Sequence, residues 1–188
     1  MDIQVMVITY HGGGYLKFAV GDDTLLVDPT NQRSVRGASA ALFTRHPAPI
    51  EFMGTGVPIF SHQGEYEVKG IRITGAAAEH QGAEVEIGAF QVRWDNIAVG
   101  IIGPVSKELS AETLLALQGS DILVLPAAAG GKIVRQVEPS VIIPSYVGKE
   151  TAAFIKELGG ASETLDRFTV KKKDLPERAM RVVVLAAQ

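Results

Sequence analysis

The 188-residue chain contains no cysteine. That absence excludes disulfides, thiolate zinc sites and a cysteine nucleophile, and it fits a reducing compartment. Neither sign of charge is in excess: 18 Lys and Arg face 21 Asp and Glu, a net charge of -3. No general affinity for nucleic acid or for an acidic membrane follows from such a balance. The densest basic run, Lys171-Lys172-Lys173, reads as a solvated loop. No apolar run approaches the ~20 residues that span a bilayer. The opening M-D-I-Q-V-M-V-I-T-Y lacks a basic region and a cleavage site, so it reads as a first strand. One domain over residues 1-188 is expected, soluble and cytoplasmic, with homo-oligomerisation left open.

Catalytic and metal motifs are as scarce. The four histidines, His11, His46, His62 and His80, are scattered, with no H-x-H and no H-E-x-x-H among them. Ala127-Ala128-Ala129-Gly130-Gly131-Lys132 follows a strand and precedes a helix, yet it lacks the spacing of a phosphate loop. No Ser-His-Asp spacing supports a serine nucleophile.

What is present is strand. Thr24 to Pro49 reads T-L-L-V-D-P-T-N-Q, a polar insert, then A-A-L-F-T-R-H-P-A-P. Two buried strands ending on Asp28-Pro29 and Thr44 look like the floor of a site in a layered sheet protein. Before them, Ile3 to Tyr10, Tyr15 to Val20 and Thr24 to Val27 form a meander, turned at His11-Gly12-Gly13-Gly14 and Gly21-Asp22-Asp23. Asn31 to Ser39 is a polar loop carrying Arg33 and Arg36. Further strands are expected at Val57 to Phe60, around Tyr66 and Ile73, and over Glu84 to Arg93 and Asn96 to Ile102. Ser110 to Gly119 is the clearest helix, with Ser110 as N-cap, a Leu109–Leu114 staple and Gly119 as terminator. Buried strands at Asp121 to Pro126 and Val141 to Tyr146 alternate with helices at Lys132 to Val137 and Lys149 to Leu158. Closing strands follow at Leu165 to Val170 and Met180 to Leu185.

Several strings resemble the metallo-β-lactamase fold family, especially its subgroup similar to L-ascorbate 6-phosphate lactonase. These are L-L-V-D-P at Leu25 to Pro29, G-E-Y-E-V-K-G-I from Gly64, and the order helix, D-I-L-V-L-P, helix, E-P, V-I-I-P. The resemblance covers nearly the whole chain. It implies an α/β fold, a strand-rich four-layer αββα sandwich, in which metal ligands stand at the strand ends. Where family members read T-H-x-H-x-D-H, this sequence reads Thr44-Arg45-His46-Pro47-Ala48-Pro49-Ile50. Pro104 stands where an Asp would bridge two metals, and Ser145 where a last ligand His would stand, beside Tyr146.

The cleft implied by the resemblance is assigned to Asp28, Arg45, His46, His80, Ser145 and Tyr146, with no catalytic and no metal-ligating residue among them. Arg45 either pairs with Asp28 to close the cavity or holds an anionic group. His80 is either an exposed turn residue or a remnant lining the pocket. A dinuclear site needs about four ligands per zinc, which these residues do not supply. The resulting expectation is a metal-free relative acting by binding or assembly, on an unidentified small molecule or protein. The alternatives are a zinc- or manganese-dependent hydrolase of a phosphorylated or lactone-type molecule, and a small-anion-binding module.

Overall fold

The structure, a computed structural model, describes residues 4–176 and 179–188. Along the chain run β1 (Met6–Tyr10), β2 (Leu16–Val20), β3 (Asp23–Val27), β4 (Ala40–Leu42), β5 (Arg45–His46), β6 (Ile59–Phe60), β7 (Gly64–Val68), β8 (Ile71–Gln81), β9 (Val85–Trp94) and β10 (Ile97–Ile102). Then α1 (Ala111–Leu117), β11 (Ile122–Pro126), α2 (Gly131–Val137), β12 (Val141–Ser145), α3 (Thr151–Glu157), β13 (Glu163–Leu165), β14 (Phe168–Val170) and β15 (Arg181–Leu185) follow. The first strand, read from Ile3, starts at Met6; Ile3 lies outside the described residues.

Two sheets result. One has the order β14-β1-β2-β3-β4-β6, and the other β13-β15-β12-β11-β10-β9-β8-β7, with β5 added onto β9. Antiparallel hairpins join β1 to β2, β2 to β3, and β7 through β10. Strands β10, β11 and β12 pair in parallel, and a parallel step needs a crossover. The helices α1 and α2 supply those crossovers, whereas the parallel steps β3 to β4 and β4 to β6 of the first sheet are made without an α-helix.

Alternation along each strand explains the layers. Ile8, Phe18, Leu25 and Leu42 of one sheet meet Ile73, Phe90, Val99, Val124 and Ile143 of the other in one buried cluster. The opposite parity of the second sheet, including Leu123, Leu125 and Ile142, is covered by Leu117, Ile133, Val134 and Phe154 of the helices. The outer face of the first sheet differs from the expected helical layer. Leu26, Ala41 and Phe43 are covered there by Val35, Ala48 and Phe52, from two loops and a single 3-10 turn at Ile50–Phe52. Pro47, Pro49, Gly54 and Gly56 make a longer helix unfavourable in that stretch. The fourth layer is thus irregular chain.

Helix α1 behaves as its sequence indicates. Ser110 Oγ accepts from Thr113 N at 3.1 Å, and Thr113 Oγ1 donates to Ala77 O at 2.9 Å, fastening the helix to β8. The lysine run forms a short 3-10 turn, in which Lys172 Nζ lies 2.6 Å from Asp121 Oδ1. No helix among the described residues is long and apolar enough to cross a membrane.

The fully buried Phe90 dictates its neighbours. A Cβ on Gly88 would lie 2.4 Å from Phe90 Cε2, and one on Gly75 would lie 2.6 Å from Cε1. The ring lies across both glycines, where no larger residue fits. Gly88→Ala is therefore expected to destabilise the fold by about 1–3 kcal/mol through overpacking, read as a lower urea midpoint at unchanged m.

Candidate functional site

The site is built where the first sheet hands the chain to the second. After β4, Thr44 points inward, in step with Leu42, and its backbone N and Oγ1 donate to the two oxygens of Asp28 at 2.7 and 2.6 Å. Its own carbonyl accepts from Gly88 N at 2.8 Å, so the residue is bonded to both sheets. Gly103 presses against it: a Cβ there would sit 2.9 Å from Thr44 Cβ.

Tyr146 closes the opposite side. It follows β12, and its phenol lies so tightly over Gly14 that a Cβ on that glycine would be 2.5 Å from the Tyr146 hydroxyl oxygen. Gly14 itself sits at φ +86°, in the three-glycine turn after β1. Asp28 (φ +47°) and Tyr146 (φ +51°) are both held in the left-handed region, which disfavours side chains by about 1–2 kcal/mol each. Ser145 is buried, and its hydroxyl has no hydrogen-bond partner among the described residues.

Electrostatics follow from this enclosure. Burial pushes the Asp28 carboxyl up from 3.8 to about 6, against the two hydrogen bonds from Thr44 and, more weakly, the charge of Arg45. Burial, and secondarily the Asp28 charge, push the Tyr146 phenol up to about 12, with the Thr44 hydroxyl and Arg45 opposing. Both groups favour their neutral forms, as expected where little water enters.

The residues singled out by sequence are only partly brought together. Asp28, Ser145 and Tyr146 all stand at strand ends, and Asp28 and Tyr146 meet Thr44 there. Arg45 does not pair with Asp28: it is exposed, and its Nη1 donates to Gln81 Oε1 at 3.3 Å. Strand alternation is the reason, because the residue after inward Thr44 must face outward. His80 is exposed too, since β8 continues to Gln81 instead of ending at Gly75. A bulge between Ala77 and Glu79 resets the register. Glu79 is the buried neighbour, and it accepts from Ser106 N, Ser106 Oγ and Lys107 N, which hold its carboxyl below the usual range. His46 turns away from Asp28 into a separate cluster: its Nδ1 lies 2.9 Å from Ser61 Oγ, and its ring centroid 4.6 Å from that of His62. His62 Nδ1 in turn approaches Glu86 Oε1 at 3.3 Å. Sequence reasoning missed this grouping, although Glu86 shares the inward parity of Phe90.

Whether the strand ends fit a dinuclear metal centre is decided by their donors. The side chains there are a threonine, a tyrosine, a buried serine and one carboxylate whose two oxygens are already bonded. No group of three His, Asp or Glu among the described residues is placed to hold a metal ion. These side chains do not fit such a centre. Surface recesses open elsewhere, one of about 370 Å³ including Arg33, Arg36, Glu51 and Thr55 in its lining.

Two facing sheets with helices outside the second define the metallo-β-lactamase fold, and the comparisons agree. A Thermotoga maritima protein of the metallo-β-lactamase superfamily, classed as a Zn-dependent hydrolase, superposes with TM-score 0.76 at 19% identity, covering 96% of this chain and 98% of its own. The metallo-β-lactamase fold protein YhfI from Bacillus subtilis gives 0.64 at 12% identity, covering 98% and 97%. A diphosphatase of the PhnP family gives 0.59 at 12% identity, covering 89% and 98%. At such identities the likeness establishes the fold alone. No family model matches the chain, and no curated protein does.

The raised Asp28 carboxyl has a signed consequence. The folded state binds this proton more tightly than the unfolded chain, so stability falls as pH rises from about 4 to about 6. The loss is on the order of 1–3 kcal/mol. Asp28→Asn can still accept from Thr44 N while its amide donates to Thr44 Oγ1, and it carries no charge. Urea titrations at pH 4, 5, 6 and 7 should therefore show the variant gaining on the wild type as pH rises. The low-lying carboxyls of Asp23, Glu79 and Glu163 have the opposite sign but are common to both proteins.

Proposed function

We propose that the protein acts by binding or assembly, without metal-dependent catalysis, through a strand-end cleft closed by its own side chains. The observation that carries this reading is Tyr146, whose phenol is seated on Gly14 beside an Asp28 already bonded twice to Thr44. A metal-bound hydroxide needs open coordination positions and several imidazole or carboxylate ligands, and this arrangement offers neither. The sequence at the strand ends supports the same reading, with Pro47, Pro49, Ile50, Pro104 and Ser145 in place of ligands. Its resemblance to ascorbate-phosphate lactonases is kept here as ancestry, with the ligand motifs degenerate.

The fold neighbours favour a second reading, a metal-dependent hydrolase of a phosphorylated or lactone-type small molecule. The Thermotoga maritima protein is classed as a Zn-dependent hydrolase, a Veillonella parvula protein as a metal-dependent hydrolase, and the PhnP-family protein is a diphosphatase. On likeness alone this hydrolase reading has the stronger support; on the donors present, the binding reading does.

Hydrolysis assays separate the two. Full-length protein purified without an affinity tag and supplied with Zn²⁺ or Mn²⁺ is expected to cleave diphosphates, phosphodiesters and lactones no faster than the metal in buffer. A thermal-shift screen of small carboxylates and phosphorylated compounds, or a stable assembly by light scattering, is expected to give the positive signal. Metal-dependent turnover that disappears in Asp28→Asn would overturn the binding reading and establish the hydrolase.

A further inference from the structure

The His46–His62–Glu86 grouping has no role in the closed cleft and is built differently from it. Ordinary surface histidines have mobile rings. Here His46 Nδ1 is hydrogen-bonded to Ser61 Oγ at 2.9 Å, and His62 Nδ1 stands 3.3 Å from Glu86 Oε1. The ring centroids are 4.6 Å apart and the planes 39° from parallel. Glu86 is only 7% exposed, and the oxygen facing His62 makes no hydrogen bond of acceptable geometry. A buried carboxylate oxygen left in that state is costly, and a small rotation of the imidazole would satisfy it. His62, by contrast, keeps 49% of its side chain open to solvent.

The backbone explains the convergence. His46 of β5 stands opposite Glu86 of β9, and paired residues on neighbouring strands share a face. Ser61 and His62 follow β6, the edge strand of the first sheet, and reach across to the same place. An ionised Glu86 can only accept, so the proton of a neutral His62 belongs on Nδ1, and the lone pair belongs on Nε2. Nδ1 of His46 is likewise taken up by Ser61 Oγ, which leaves Nε2 as its free ring nitrogen. A carboxylate or other oxygen holding Nδ1 while Nε2 offers its lone pair is the arrangement that orients and strengthens an imidazole metal ligand.

We infer that His46 and His62 form a two-imidazole site for a first-row divalent cation such as Zn²⁺ or Cu²⁺, with Glu86 and Ser61 as the groups orienting the rings and water completing the coordination. Imidazole pairs suit both cations, and Cu²⁺ binds more tightly at a given nitrogen site. Among the described residues no third His, Asp or Glu is placed as a ligand, which makes it a solvent-open site of modest affinity. It is separate from the strand-end cleft and does not depend on the binding reading of that cleft.

Calorimetric titration of the full-length protein with ZnCl₂ and with CuCl₂ tests the site. One equivalent of each is expected to bind, Cu²⁺ more tightly, and binding is expected to weaken on acidification because a ligating imidazole must be neutral. His62→Ala, at a half-open position where folding is retained, and His46→Ala should each weaken binding at least tenfold. Glu86→Gln should weaken it roughly tenfold through ring orientation. His11→Ala should leave it unchanged. No saturable binding at millimolar metal, or equal binding by the His46→Ala, His62→Ala double variant, would overturn the assignment. Binding that survives the double variant but is lost in Asp28→Asn would overturn it too, and would implicate the strand ends instead, against the binding reading.

Discussion

Thr44 makes three hydrogen bonds and one tight packing contact, and the geometry of the surrounding molecule depends on its keeping them. Its N–H and hydroxyl reach the two Asp28 oxygens at the end of β3, its carbonyl takes the N–H of Gly88 in β9, and Gly103 packs against its Cβ. At this point the chain leaves the first sheet after β4 and enters the second as β5. A chain that changes sheets exposes backbone groups which neither sheet's ladder can satisfy. Here a carboxylate and a neighbouring strand take them up. The left-handed backbone of Asp28 is what brings its carboxylate within reach, so the strain at one residue is offset by hydrogen bonds at another.

From that crossing point the fate of each neighbouring side chain follows by alternation. Thr44 faces the inter-sheet layer, Arg45 must face out, and His46 returns to the register of Glu86. Arg45 therefore cannot neutralise Asp28 at contact distance, and the carboxylate depends on hydrogen bonds and on partial protonation. The same geometry leaves room over the strand ends for one large planar group. Tyr146 occupies it, against a glycine that alone tolerates the approach. The cleft is thus closed by a phenol and by the two short hydrogen bonds between Thr44 and Asp28.

The sequence is legible wherever periodicity and local chemistry decide the structure. The meander, the α1 cap at Ser110, the parallel strands alternating with helices, and the inter-sheet layer follow from alternation and turn residues. What is not legible depends on contacts between distant segments. Whether a layer over the first sheet is helix or loop turns on how Val35 and Phe52 pack on Phe43, which no local pattern encodes. The length of β8 depends on the pairing of Glu79 and His80 with β9 across a bulge, and the misplacement of His80 follows from that. The candidate site divides in the same way. Asp28, Ser145 and Tyr146 could be placed because each ends a recognisable strand. The grouping of His46, Ser61, His62 and Glu86 could not, because its members come from three separate stretches and only Glu86 carries a parity signal.

That grouping and the closed cleft show how position and chemistry separate in a β-sandwich. The strand ends of both sheets converge whatever residues occupy them, since hydrogen-bonding register and the apolar inner layer fix where each strand stops. Side-chain chemistry there can vary without disturbing the register, because neither Ser145 nor Pro104 interrupts a ladder that its neighbours need. The reverse holds at Glu86, where an inward parity forces a carboxylate beneath the surface and any stable arrangement must bring it a donor. His62, arriving from the edge of the other sheet, brings its Nδ1 to 3.3 Å from that carboxylate.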